Sequence, residues 1–216
     1  MHKHTTLPNG LRVVTGEMPH TRSATVSMYV GAGSRYERDE EAGLSHFLEH
    51  MLFRGTERHP DAFRLNHAIE ALGGTLYAET GRDYSLYQLS LPPESLDAGI
   101  ALFGEIFRAP AFEGIEVERR IVLEEILEDL DEDDREINID DIARRVIFPD
   151  HPLGQRITGP YENVERFTVA DVRRHFRRGY GARNMILAVT GAVEHERVIE
   201  RVRESLAALP PGSEVA

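Results

Sequence analysis

Residues 44–52, Leu-Ser-His-Phe-Leu-Glu-His-Met-Leu, place two demands on one short segment. Leu44, Phe47, Leu48, Met51 and Leu52 recur at i, i+3, i+4, i+7 and i+8, which predicts a helix with an unbroken apolar stripe and hence a place against a core. His46, Glu49 and His50 fall on the other face, because residues three and four apart are neighbours on a helix surface. Two imidazoles one turn apart can grip a single metal ion, and a carboxylate beside them can take a proton from water held there. The bland alternative is a pair of hydrogen-bonded histidines, which would leave three polar groups beside an apolar stripe with nothing to bind, at a cost in stability.

Composition narrows the ligand set. The chain of 216 residues has no cysteine, so disulfides, thiolate ligands and thiol nucleophiles are all excluded. Any metal must be held by His, Asp or Glu. A hydrophobic content of 41% is enough for a sizeable core in one large domain or two small ones. Net charge is −12, which argues against nucleic acid as a partner, since that needs a basic face. No apolar run is long enough to span a membrane, and the opening Met1 to Gly10 has no apolar signal core, so a cytoplasmic protein is expected. The acidic run from Glu124 to Glu136 reads as a solvated helix end with some attraction for basic peptides.

In chain order, Leu7-Pro8-Asn9-Gly10 predicts a turn into a strand at Leu11 to Val14, and Ser23 to Val30 predicts a second strand with one covered face. The histidine helix should stop near Gly55, and a further helix is expected from Asp61 to Leu72, closed by Gly73-Gly74. Strands follow at 75–80 and 84–91, then a helix to about Phe107 and another from about Glu116. That last helix shows an apparent stripe of Leu123, Ile126, Leu127 and Leu130. Ile137 to Ile147 and Val169 to Tyr180 read as helices, Asn184 to Thr190 as a buried strand, and Glu194 to Leu209 as a final helix. Mixed strands and helices of this kind predict an α+β fold, a mixed and largely antiparallel sheet with helices packed on it. One domain over residues 1–209 is expected, with 210–216 as a tail or the start of a linker.

Two histidines leave a zinc site one protein ligand short of the usual three plus water. Without cysteine the third must be a carboxylate or another histidine. Glu124 and Glu125 are adjacent on a helix and point about 100° apart, so only one can face a metal. Glu125 shares its face with Glu118 and lies away from the leucine stripe, which favours it while leaving Glu124 open.

His46-Phe47-Leu48-Glu49-His50, followed at a distance by Glu125 within Glu118 to Ile126, resembles the pitrilysin-type (M16) zinc metallopeptidases, whose motif inverts the better-known zinc-protease helix. The resemblance extends to Gly31-Ala32-Gly33-Ser34, His50 to Thr56, Gly73-Gly74, Ala78-Glu79-Thr80, Gly159 and Tyr180 to Asn184. It is similar to the zinc-bearing first half of bacterial processing-peptidase-like proteins. The resemblance implies Zn2+ held by His46, His50 and Glu125, with Glu49 as general base and Glu118 orienting the site from behind. It also implies that the edge of the strand holding Tyr77, Ala78 and Thr80 binds the substrate backbone. One departure is Tyr77, where the family usually has Asn.

The implied activity is that of a zinc endopeptidase on peptides or small unfolded proteins. The alternative is an incomplete or inert half that serves only as a subunit, because family enzymes join two such halves and the second supplies an Arg and a Tyr. A homodimer or a second homologous half is therefore expected as partner. A lyase that shares the histidine motif, S-ribosylhomocysteine lyase, requires a Cys ligand and is excluded.

Overall fold

Chain reversal at Leu7 to Gly10 folds β1 (His2–Thr6) back on β2 (Arg12–Glu17) as an antiparallel pair. The structure, a computed structural model, describes residues 2–133 and 135–212. Asp134 of the acidic run and residues 213–216 of the expected tail lie outside the described residues.

β3 (Ala24–Val30) follows, then α1 (Leu44–Leu52), α2 (Ala62–Ala71), β4 (Thr75–Thr80), β5 (Ser85–Leu91) and α3 (Leu96–Arg108). The chain continues through α4 (Ile115–Glu128), α5 (Ile139–Ile147), α6 (Tyr161–Arg166), α7 (Val169–Gly179), β6 (Met185–Gly191) and α8 (His195–Leu206). The histidine helix thus ends at Leu52, earlier than the glycine at 55 implied, because Phe53 already leaves helical geometry. Residues 210–212 turn back on the fold: the Pro210 and Pro211 carbonyls accept from the Ala182 and Arg183 N–H groups at 2.8 and 3.0 Å. No helix among the described residues is long and apolar enough to cross a membrane.

Among the described residues the strands form one six-stranded sheet in the order β1-β2-β6-β3-β5-β4. Only the β2–β6 pair is parallel. The fold is α+β, as the sequence pattern implied. Strict alternation puts Val26, Met28, Tyr87, Leu89, Leu187 and Val189 into the core, with their neighbours on the opposite face.

α1 lies on the core side of the sheet with Leu44, Phe47, Leu48, Met51 and Leu52 all buried. Burying five such side chains is worth roughly 1.5–3 kcal/mol each, which fixes the helix whatever its polar face does. Phe47 meets Phe167 edge-on at 5.6 Å between ring centres. The N-terminus of α1 is set by a close approach. Gly43 has φ +96°, and a Cβ there would come within 2.5 Å of the Thr158 carbonyl oxygen.

α4 departs from the expected face. Its buried residues are Glu118, Val122 and Ile126, while Leu127 is 45% exposed and Leu123 only half-buried. The leucine stripe misleads because this helix packs on the polar side of α1, so its inner face carries carboxylates. Arg119 fastens α4 from behind, donating to the carbonyls of Val164, Glu165 and Phe167 at 2.7, 2.7 and 2.8 Å.

Candidate metal centre

The polar face of α1 is held in place before any chemistry is considered. The buried Glu37 carboxylate accepts from the Gly43 N–H at 2.8 Å and from the Ser45 N–H, two donors that the first turn of the helix would otherwise leave unpaired. A negative charge there also complements the helix dipole. Burial pushes the Glu37 carboxyl up to about 7, against the pull of its hydrogen bonds to Ser45 and Gly43. Ser45 Oγ in turn meets His175 Nε2 of α7 at 2.9 Å. Burial brings His175 down to about 4, with the Arg178 charge acting in the same direction.

Beyond that anchor, three donor atoms converge. His46, His50 and Glu125 each offer one ligand atom, all within 4.8 Å of one another. The Glu125 Oε2 lies 3.6 Å from His46 Nε2 and 3.5 Å from His50 Nε2. Those separations exceed a good hydrogen bond. They match the edge of a tetrahedron of ligands about 2.0–2.1 Å from a zinc ion, which is about 3.3 Å. The two imidazole rings stand 4.8 Å apart at 70°. Glu124, one residue earlier, is exposed. Two nitrogens and one carboxylate oxygen, without sulfur, are a donor set that fits a catalytic zinc.

The ring electrostatics fit the same role. Burial lowers His46 to about 4, with the neighbouring His50 adding to the effect, so its ring is neutral and able to bind a metal at ordinary pH. His50 is also buried, which acts downward, but the Glu118 hydrogen bond and the Glu125 and Glu118 charges more than offset this and raise it. His50 Nδ1 lies 3.0 Å from Glu118 Oε2, a contact that assigns the proton to Nδ1 and leaves Nε2 as the lone pair facing Glu125.

Glu49 stands on the same face, half-buried, and its Oε2 accepts from the Thr80 hydroxyl at 2.5 Å. Burial raises its pKa, and the Thr80 hydrogen bond opposes the rise. Glu49 and His50 open into a cavity of about 320 Å³ shared with Phe53, Asn66 and Glu118. A larger cavity of about 880 Å³ is lined by Leu127, Phe148 and Arg156 and includes none of the candidate site residues.

The substrate-binding candidates separate. β4 pairs only with β5, so its other edge is unpaired among the described residues. Leu76, Ala78 and Thr80 sit opposite the buried Leu89, Tyr87 and Ser85, on the face that meets α1. Tyr77 sits opposite Gln88 on the other face, and its hydroxyl donates to Glu79 Oε2 at 3.0 Å. Ala78 and Thr80 are therefore beside the site, whereas the Tyr77 ring is not and only its main chain is available to a peptide along the edge. Sequence reasoning missed Glu37 and His175, which lie in other elements.

The family model described as Insulinase (Peptidase family M16) matches residues 12–161. The chain belongs to the M16 peptidase family. Among M16 relatives, a zinc protease of Mycobacterium leprae, itself uncharacterised, is 38% identical over 93% of this chain and 45% of its own length. A probable mitochondrial-processing peptidase subunit beta of Arabidopsis thaliana is also 38% identical, over 93% of this chain and 38% of that protein. A crystal structure of a protease from Helicobacter pylori superposes with a TM-score of 0.90 at 25% identity, covering all of this chain and 52% of that one. This M16 chain thus spans less than half the length of these two curated relatives and about half of the solved structure.

Proposed function

We propose that this chain is the zinc-bearing half of an M16 metalloendopeptidase, with residues 1–209 as one peptidase domain. The observation that carries the reading is the convergence of His46 Nε2, His50 Nε2 and the Glu125 carboxylate beside a separately held Glu49. Zinc bound by those three groups supplies Lewis acidity, making a water more acidic and a peptide carbonyl more electrophilic.

The chain's own residues do the rest. Glu49 takes the proton from the attacking water and delivers it to the leaving amine. Its raised pKa suits a group that must both accept and return a proton, and the Thr80 hydroxyl fixes which oxygen is free to do so. Glu118 holds the His50 ring in the tautomer whose Nε2 faces the ligand point. The unpaired edge of β4 accepts an extended peptide by main-chain pairing, next to Ala78 and Thr80, which leaves side-chain selection to the surrounding pockets.

A second reading is favoured by one fact, the chain's coverage of less than half of its curated relatives. On that reading the chain is a subunit that cleaves only with a second homologous half or a second copy. The test of both is zinc content and peptide cleavage on a sample of known oligomeric mass, beside Glu49→Gln. The expected result is zinc retained and cleavage reduced by about 10³-fold in Glu49→Gln. Full activity in Glu49→Gln sinks the mechanism, and a zinc-loaded monomer that cleaves nothing selects the subunit reading.

A further inference from the structure

The polar row on α1 continues past its two histidines. His46, His50 and Arg54 are spaced four apart, and Arg54 keeps to that row although the helix ends at Leu52, its N–H bonding the Met51 carbonyl at 3.3 Å. Across from them, Glu125 meets His46 and His50, and Glu118 meets His50 and Arg54, so α1 and α4 run in opposite directions with matched rows.

Glu118 is 6% exposed and has both oxygens occupied. Its Oε2 takes the His50 Nδ1–H at 3.0 Å, and its Oε1 accepts from Arg54 Nη1 at 3.1 Å. Arg54 occupies an unfavourable place. Its Nε is buried with no hydrogen-bond partner among the described residues. Its guanidinium lies against Gly114, the residue just before α4, where the helix dipole disfavours a cation. A Cβ at Gly114 would come within 2.8 Å of Nη2 and 3.1 Å of Nε, so the space exists only because that position, at φ +72°, has no side chain. The carboxylate of Glu118 is the group that compensates for this placement.

We infer that Arg54 is a positioning residue of the metal centre, clamping Glu118 so that its second oxygen stays aimed at His50 Nδ1 and the His50 ring keeps Nε2 on the ligand point. The inference rests on the reading of His46, His50 and Glu125 as zinc ligands. Without Arg54 the Glu118 side chain regains rotational freedom, the His50 ring loses its fixed orientation, and zinc affinity falls about tenfold, the scale on which outer partners of ligating histidines act.

The experiment uses the full chain and four proteins: the parent, Arg54→Met, Glu118→Gln and the double variant. Zinc affinity is measured by chelator competition, and cobalt(II) absorption is recorded as a readout of ligand geometry. Arg54→Met is expected to bind zinc about tenfold more weakly with a changed cobalt spectrum, and to add nothing further in the Glu118→Gln background. Parent-like affinity in Arg54→Met overturns the inference, as does a full additional loss in the double variant, which would make Arg54 a general support of the fold. Should Arg54→Met fail to fold by circular dichroism, Arg54→Gln replaces it with the same expectation and the same criterion. A parent chain that binds no zinc overturns the underlying metal reading instead, so the two failures are distinct.

Discussion

His195 and His46 are both shielded imidazoles on helices, and they treat their ring nitrogens differently. At the start of α8, His195 Nε2 meets the Thr5 hydroxyl at 2.9 Å and Nδ1 meets the Thr15 hydroxyl at 2.8 Å, so the ring is fully used in joining α8 to β1 and β2. On α1, His46 Nδ1 is buried without a partner among the described residues, and Nε2 faces a carboxylate oxygen at 3.6 Å, beyond hydrogen-bonding reach. A ring that holds the fold together saturates its own valences with protein. The two candidate ligand rings instead each leave Nε2 without a hydrogen bond, with His50 Nδ1 held by Glu118 at 3.0 Å. His175 belongs with His195, since Ser45 Oγ lies 2.9 Å from its Nε2 and Arg178 donates to its Nδ1 at 3.2 Å.

Three substitutions put that division at risk. The largest effect is expected from His46→Ala, which should weaken zinc binding by at least about 100-fold, one ligand's share of a binding energy on the order of 10 kcal/mol. The metal-free protein should lose less stability than a hydrogen-bonded ring would cost, because only packing is given up; chelator competition beside thermal unfolding tests both halves of that statement.

Next is the acid limb of His175. Its folded pKa is lowered by burial to about 4 from the ordinary 6.5, so its contribution is present above 6.5 and is lost as pH falls through 4. That is worth about 3 kcal/mol. His175→Gln should remove this loss, flattening stability between those limits in denaturant titrations at several pH values. Glu37, raised to about 7, works in the opposite sense, losing stability as pH rises, but it is common to both proteins and cancels in the difference. An unchanged acid limb in His175→Gln would mean that this ring is not held neutral by the fold.

The smallest expected effect is that of His195→Ala, about 1–3 kcal/mol of stability from two hydroxyls left unpaired, with zinc affinity unchanged. Loss of zinc there in step with stability would erase the distinction between the two kinds of histidine.

Much of the fold could be read because its signals are local. The α1 stripe, the turn at Leu7 to Gly10 and the alternation of β3 and β5 each follow from periodicity within a few residues. The inner face of α4 could not, because its partner is the polar side of another helix and the usual equation of leucine with burial reverses there. Glu37 escaped notice because its cap spans a loop of six to eight residues and fits no short capping signature. The family resemblance groups Tyr77, Ala78 and Thr80, and the strand register separates them, turning Ala78 and Thr80 toward α1 and Tyr77 away. The apolar residues of α5, Ile139, Val146 and Ile147, look like a core stripe in sequence and are exposed in the fold. Periodicity shows that a face exists, and tertiary context decides whether it is covered.

The position of β6 has a consequence for biosynthesis. This strand follows the other five described strands in sequence, yet it wedges between β2 and β3 near the middle of the sheet. Until about residue 191 has left the ribosome, β2 and β3 have no common neighbour and α1 has no finished floor to rest on. A chain emerging in order therefore carries every group from His46 to Glu125 before the sheet beneath them is joined.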